Sequence, residues 1–253
     1  MIRIINDLSD TPVHLRNSHY SRIILSHMQT YGAVYDFCEF YELKQKGKRT
    51  AIFCCFNGSL IGDIMDRAEI SRAAVREVSE FIRFKSPEYA ELPVELAGKS
   101  GISGYQKIKR CFYEVPPTES SDGIELAADM ERVFRTVYND GQADYGLWLT
   151  DTVRRTNMDI SRVYGYKSSV LTVKCRSSQM AYIADVATPE HDRRKGYAAK
   201  LLGGVAGIMK SEGYSSYLSA IDPSAGFYDR LGYAEIFTDY IYKIKESVFS
   251  DEH

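Results

Sequence analysis

The stretch ATPEHDRRKGYAAKLL, residues 187–202, places three cations, Arg193, Arg194 and Lys195, directly before Gly196 and then opens an apolar run. Just upstream, YIADVAT (182–188) carries the Val, Ile and Tyr that favour a strand. The local order is therefore strand, loop, helix start. The first N–H groups of a helix have no intrahelical partner and sit at the positive end of its dipole. The turn from Arg193 to Ala198 can thus cradle a phosphate. Gly196 lets backbone approach a ligand closely, and Ala198 is too small to block it. Neither G-x-x-x-x-G-K-[ST] nor G-x-G-x-x-G is present, which excludes a P-loop and a dinucleotide fingerprint.

Outward from this turn, the spacing of Leu201, Leu202, Val205 and Ile208 predicts a helix from about Gly196 to Glu212. SSYLSAI (215–221) reads as a strand, SAGFYDRLG (224–232) as a short helix, and AEIFTDYIYKIK (234–245) as a strand pair. Upstream, GIELAADMERVFRTVYND (123–140) and DYGLWLTDTVRRTN (144–157) read as helices, the first capped by Asp122. Residues 162–188 are rich in Val, Ile, Tyr and Thr with polar breaks, as antiparallel strands require.

RRKGYA (193–198) fits R-x-x-G-x-G/A, the signature of the GNAT acetyltransferase superfamily. YIADVAT resembles that family's central strand, and FYDRLGYAEI resembles its C-terminal F-Y-x-x-L-G-F/Y signature about thirty residues later. The resemblance covers roughly residues 122–245. It implies a mixed, mostly antiparallel twisted sheet flanked by helices, of the α/β (α+β) class. It also implies acetyl-CoA as cosubstrate and transfer to a primary amine by direct attack. Carried over residue by residue, the backbone of Val186, Ala187 and Thr188 would meet the pantetheine arm. The loop of Arg193, Arg194, Lys195, Gly196, Tyr197 and Ala198 would hold the pyrophosphate. Tyr228 falls on the tyrosine that protonates the departing thiolate. Asp185 is a candidate base acting through water, and His191 a solvated loop residue. Family members often carry Asn seven residues before the tyrosine. Here that position is Ile221, with Asp222 beside it.

The N-terminal half shows no such motif. HYSRIILSHMQTYG (19–32) and ISRAAVREVSEFIRF (70–84) have helical periodicity. VYDFCEFYELKQ (34–45) and RTAIFCCFNGSLIGDIM (49–65) read as strands, the second turning at Asn57-Gly58, and AELPVELAG (90–98) as another. The Pro- and Ser-rich EVPPTESSDG (114–123) marks a boundary. This gives an N-terminal α+β domain over 1–118 and a catalytic domain over 119–253. The first is either a degenerate second GNAT-like unit or an α+β module that shapes the acceptor cleft or an interface, a homodimer included.

The 253 residues carry a net charge of −2 and are 44% hydrophobic, which gives no global attraction to nucleic acid or an anionic membrane. The five cysteines lack metal-ligand spacing, so no metal is expected, and they read as free thiols in a reducing cytoplasm. Neither a signal peptide nor a membrane span is apparent. The sequence thus points to a cytoplasmic N-acetyltransferase acting on a small-molecule or peptide amine. The alternative is a non-catalytic acyl-CoA-binding protein that kept the cofactor cleft.

Overall fold

The computed structural model describes residues 1–9, 11, 15, 17–65, 68–98, 101–138, 141, 143–221 and 224–244. The chain divides into two compact units, one comprising Met1–Arg110 and Thr238 onward, the other Cys111–Phe237. The first holds β1 (Ile2–Ile4), α1 (His19–Tyr31), β2 (Cys38–Gln45), β3 (Lys48–Phe56), β4 (Ser59–Ile64), α2 (Arg72–Lys85), β5 (Tyr89–Glu91), α3 (Val94–Ala97) and the start of β6 (Tyr105–Val115). The second takes up the end of β6, then α4 (Met130–Val137), α5 (Tyr145–Asn157), β7 (Arg162–Tyr166), β8 (Ser169–Ser177) and β9 (Met180–Ala187). It continues with α6 (Tyr197–Ser211), β10 (Ser215–Ile221), α7 (Ala225–Arg230) and the start of β11 (Glu235–Ile244), whose remainder belongs to the first unit.

Both units are α/β, each built on a mixed sheet with helices packed against it. In the first, the strand order is β1-β2-β3-β4-β5-β11, antiparallel except for the parallel pair β4/β5. In the second, the order is β6-β10-β9-β8-β7, with β7/β8/β9 antiparallel and β9/β10 parallel. Each unit therefore runs through three antiparallel strands, a helix, a parallel strand and a short helix. Turn chemistry sets the meanders. Asn57 and Gly58 have φ of 44° and 78°, the left-handed pair a two-residue hairpin turn demands. Helix α1 starts at Ser18, whose side chain accepts from the Ser21 N–H, and buries Tyr20, Ile24, Met28 and Tyr31 at helical spacing.

The structure corrects four local expectations. Helix α4 begins at Met130 and its cap is Asp129, which accepts from the Arg132 N–H. Residues 123–128 are drawn instead to the sheet, where Glu125 bridges Gly165. AELPVELAG splits at Leu92-Pro93 into β5 and the short α3, because proline at the helix entry needs no N–H. Within AEIFTDYIYKIK, Glu235–Ile244 form one continuous strand. The Pro- and Ser-rich stretch lies within the second unit and is strapped to α6. Thr118 N–H donates to Gly203 O at 2.9 Å, and a Cβ on Gly207 would come within 2.4 Å of Thr118 O. Glycine in the middle of α6, costly for a helix, lets that strap lie against it.

A buried charge network ties the first unit together. Arg110, 4% exposed, donates from Nε and Nη2 to Asp239 at 2.8 and 2.7 Å and pairs with Glu91 through Nη1. The Tyr20 hydroxyl also donates to Asp239, at 2.7 Å. Burial works against the Glu91 charge, but Arg110 and His19 together outweigh it and hold the carboxyl down at about 2. Its stabilising contribution is thus present above its ordinary value of 4.5 and lost as pH falls toward 2. Arg110→Met leaves two carboxylates without their cation. It is expected to cost about 3–5 kcal/mol in denaturant unfolding and to remove that part of the acid dependence.

Candidate active site

The site of the second unit starts with a parting of strands. The β9/β10 ladder ends at Ile183↔Leu218, while β9 continues to Ala187 and β10 to Ile221. Among the described residues, Ala184–Ala187 therefore have no ladder partner on the β10 side, although β9 remains paired to β8 through Ala187↔Val170. Backbone groups of Val186 and Ala187 are thus free to bind an extended ligand.

Next comes the turn. Thr188 is held by its hydroxyl to Ser169 at 2.7 Å, and a 3-10 turn over Glu190–Asp192 leads to Arg193. Arg194 and Gly196 take φ of 64° and 78°. No side chain caps α6, and a Cβ on Gly196 would meet nothing within 4 Å. The first N–H groups of α6 consequently face open space beside Arg193 and Arg194, an anion-binding arrangement.

These features surround one cavity of about 730 Å3. Its lining includes Val186, Ala187 and Thr188 from the parted strand, Arg193, Arg194, Gly196, Tyr197 and Ala198 from the turn, and Tyr228 from α7. Tyr228 is 7% exposed, and its ring lies 5.4 Å from Tyr113, 5.1 Å from Phe227 and 6.0 Å from Tyr233. Burial, aided by Tyr233 and Tyr182, pushes its pKa up, so the hydroxyl keeps its proton. Tyr113 is itself anchored by donating to Asp229 at 2.9 Å.

Two expected residues do not line the cavity. Lys195 turns to Asp192 at 2.5 Å, and that contact holds the Asp192 carboxyl below its usual range. Its role at the turn is to neutralise a carboxylate that does line the cavity. Asp185 pairs with Lys174 at 2.8 Å. Ile221 is 40% exposed at the end of β10 and also off the lining, while Asp222 lies outside the described residues. His191 is exposed beside Asp192. Thr136 and Val137 of α4, Ser224, and Arg230 and Leu231 also line the cavity. Arg230 and Leu231 sit inside FYDRLGY, where the signature could have found them. The α4 pair carries no sequence signal, since only packing brings it there.

Residues 114–236 match the family model described as an acetyltransferase (GNAT) domain. The fold extends over both units in solved relatives. The GNAT-family acetyltransferase from Colwellia psychrerythraea superposes with a TM-score of 0.60 at 12% identity, covering 97% of this chain and 100% of that one. The GCN5-related N-acetyltransferase from Kribbella flavida gives 0.55 at 13%, covering 90% and 96%. The one from Sphaerobacter thermophilus gives 0.55 at 14%, covering 81% of each chain. No curated protein sequence matches the chain. None of the helices among the described residues is long and apolar enough to cross a membrane.

Proposed function

We propose that the chain is an acetyl-CoA-dependent N-acetyltransferase with its single active site in the second unit. The observation that supports this best is the convergence of the open β9 edge, the uncapped α6 start and the Tyr228 hydroxyl on one cavity. The residues present suit a phosphorylated thioester cofactor: a glycine leaves the turn open, two arginines flank it, and an unpaired strand edge lies alongside. Bound acetyl-CoA supplies an activated acetyl group to an attacking amine and leaves as a thiolate. The turn from Arg193 to Ala198 holds the pyrophosphate, with Lys195 cancelling Asp192 beside it. Val186–Thr188 align the pantetheine arm, and a backbone N–H there polarises the thioester carbonyl. Tyr228 Oη gives its proton to the departing sulfur. The acceptor is a primary amine on a small molecule or peptide. The five free cysteines fit a reducing cytoplasm.

The first unit is, in this reading, a degenerate copy. Its SLIGDIM (59–65) stands in the ladder where the second unit has AYIADVA (181–187), each sharing its parallel partner's register through Ile61 or Ile183. The equivalent of the cradle is closed. Helix α2 is capped by Ser71, which accepts from the Ala74 N–H. A Cβ on Gly62 would strike Phe53 and Leu92 at 2.5–2.6 Å, so apolar side chains fill the equivalent of the slot.

Calorimetry should therefore give one acetyl-CoA per chain, and a hundredfold excess over Kd should stabilise the fold by ~2.7 kcal/mol. The absence of any thermal shift with saturating acetyl-CoA would refute the cofactor assignment, and two equivalents would refute the closed copy. A screen of amines with detection of released thiol then identifies the acceptor class. Binding without release for any amine would favour the non-catalytic alternative.

A further inference from the structure

Lys174 and Asp185 occupy two irregularities that face each other across the β8/β9 ladder. The register runs Thr172↔Ala184, Val173↔Ile183 and then Cys175↔Tyr182, so Lys174 is an extra residue on β8. On the other side of Thr172↔Ala184 the next pair is Val170↔Ala187, so Asp185 and Val186 together oppose Leu171. That two-against-one arrangement is a β-bulge, which bends its strand and adds right-handed twist. Asp185 takes φ of 53°, uncommon for a residue with a side chain. The side chains of the two extra residues meet, Nζ to Oδ2, at 2.8 Å. The Asp185 side chain is only 13% exposed. Burial opposes the Lys174 charge, but Asp185, with Tyr138 and Asp151 nearby, more than offsets it and raises the pKa.

The first unit serves as an internal control. Asp63 stands where Asp185 does, two residues beyond the last parallel pair. There the β3/β4 ladder runs without a shift, Asp63 opposing Ile52, and Asp63 is not among the left-handed residues. Ser21 Oγ donates to it at 2.5 Å, and Ser18, the cap of α1, donates to it as well. Where β8 inserts Lys174, β3 continues in register through Cys54 and Cys55. The same aspartate thus accompanies a bulged strand in one unit and a regular one in the other, although both strands leave their parallel partner at the same point. What differs is the register of the neighbouring ladder.

We infer that Lys174 and Asp185 form a positioning pair that holds the β9 bulge, and through it the opening in which Val186–Thr188 meet the cofactor. This rests on the acetyl-CoA reading and replaces a proton-accepting role for Asp185. The β9/β10 ladder ends at Ile183 just as the β4/β5 ladder ends at Ile61, so what the bulge sets is how Val186–Thr188 are presented along the cavity, and the ion pair fixes the bulge from the neighbouring strand.

The test crosses two variants, with acetyl-CoA affinity measured by calorimetry and turnover by thiol release from acetyl-CoA, either by hydrolysis or with an accepted amine. Asp185→Asn keeps a short side chain that tolerates the left-handed conformation and an oxygen that can accept from Lys174. It leaves Lys174 without its counter-charge and is expected to weaken acetyl-CoA binding several-fold with kcat largely kept, as positioning requires and a base does not. Lys174→Met removes the tie and is expected to weaken acetyl-CoA binding about tenfold and raise KM with kcat largely kept, and Lys174→Arg to restore it. Should Lys174→Met fail to fold, Asp185→Gly, which takes the same backbone freely but lacks the carboxylate, is expected to show the same affinity loss. The inference is overturned if Asp185→Asn loses turnover ~100-fold at unchanged affinity, the mark of a base. It is equally overturned if folded Lys174→Met or Asp185→Gly binds and turns over as wild type does. Failure of the cofactor reading looks different, since wild type itself would then bind no acetyl-CoA.

Discussion

Gly196→Glu is expected to weaken acetyl-CoA binding by more than ~100-fold while the second unit stays folded. A Cβ at this position meets nothing within 4 Å, so no protein atom has to move. The backbone conformation, φ 78°, costs a non-glycine residue ~1–2 kcal/mol. Gly196→Ala carries that strain without the charge and isolates it. The added carboxylate would occupy the start of α6, take up the free N–H groups and pair with Arg193 or Arg194. These are the groups assigned to the pyrophosphate, so competition and repulsion act together. The check is a calorimetric titration of wild type and both variants, with melting curves alongside. A Glu variant that melts with the Ala variant and binds as wild type would remove the turn from the cofactor site.

Tyr228→Phe should lower kcat ~100-fold or more with acetyl-CoA affinity nearly intact. The ring contacts with Tyr113, Phe227 and Tyr233 survive the change, so packing is kept. No hydrogen bond from the Tyr228 hydroxyl to a described residue would be broken. What is lost is a proton donor on the cavity wall. Because burial raises the pKa of this hydroxyl, the acid form persists above the usual tyrosine range. Wild-type turnover should accordingly show no decline from Tyr228 as pH rises toward 10. A fall in kcat at constant cofactor affinity marks an interaction made chiefly in the transition state. Full activity in the phenylalanine variant would reduce Tyr228 to a packing residue.

Much of the second unit was legible in the chain because its signals are local. The α6 start depends on a glycine and a short apolar stripe, and the turn residues 193–198 follow from consecutive positions. Tyr228 came from the resemblance of FYDRLGY to the family's C-terminal signature. Asp129 was missed as a cap because Asp122, also plausible, precedes a run whose helical period begins too early. Thr136 and Val137 were missed because their place on the cavity wall depends on how α4 packs, which no neighbouring residue encodes.

The resemblance between the units was legible only as a similar order of strands and helices, for a related reason. SLIGDIM and AYIADVA share few identities, and their equivalence emerges only when each is aligned on its parallel partner. By itself, the sequence determined the α/β class, the glycine turn with its flanking cations at the start of α6 and the place of Tyr228 in a short helix, and it offered no such turn in the first half. These follow from capping, glycine freedom and periodicity, all acting over a few residues. The tertiary structure alone decided how the two units differ at this strand. Side chains remote in sequence fill the first slot with Phe53 and Leu92, and in the second link Lys174 to Asp185 across two bulges. Strand register and long-range packing set those contacts, and neither has a local signature.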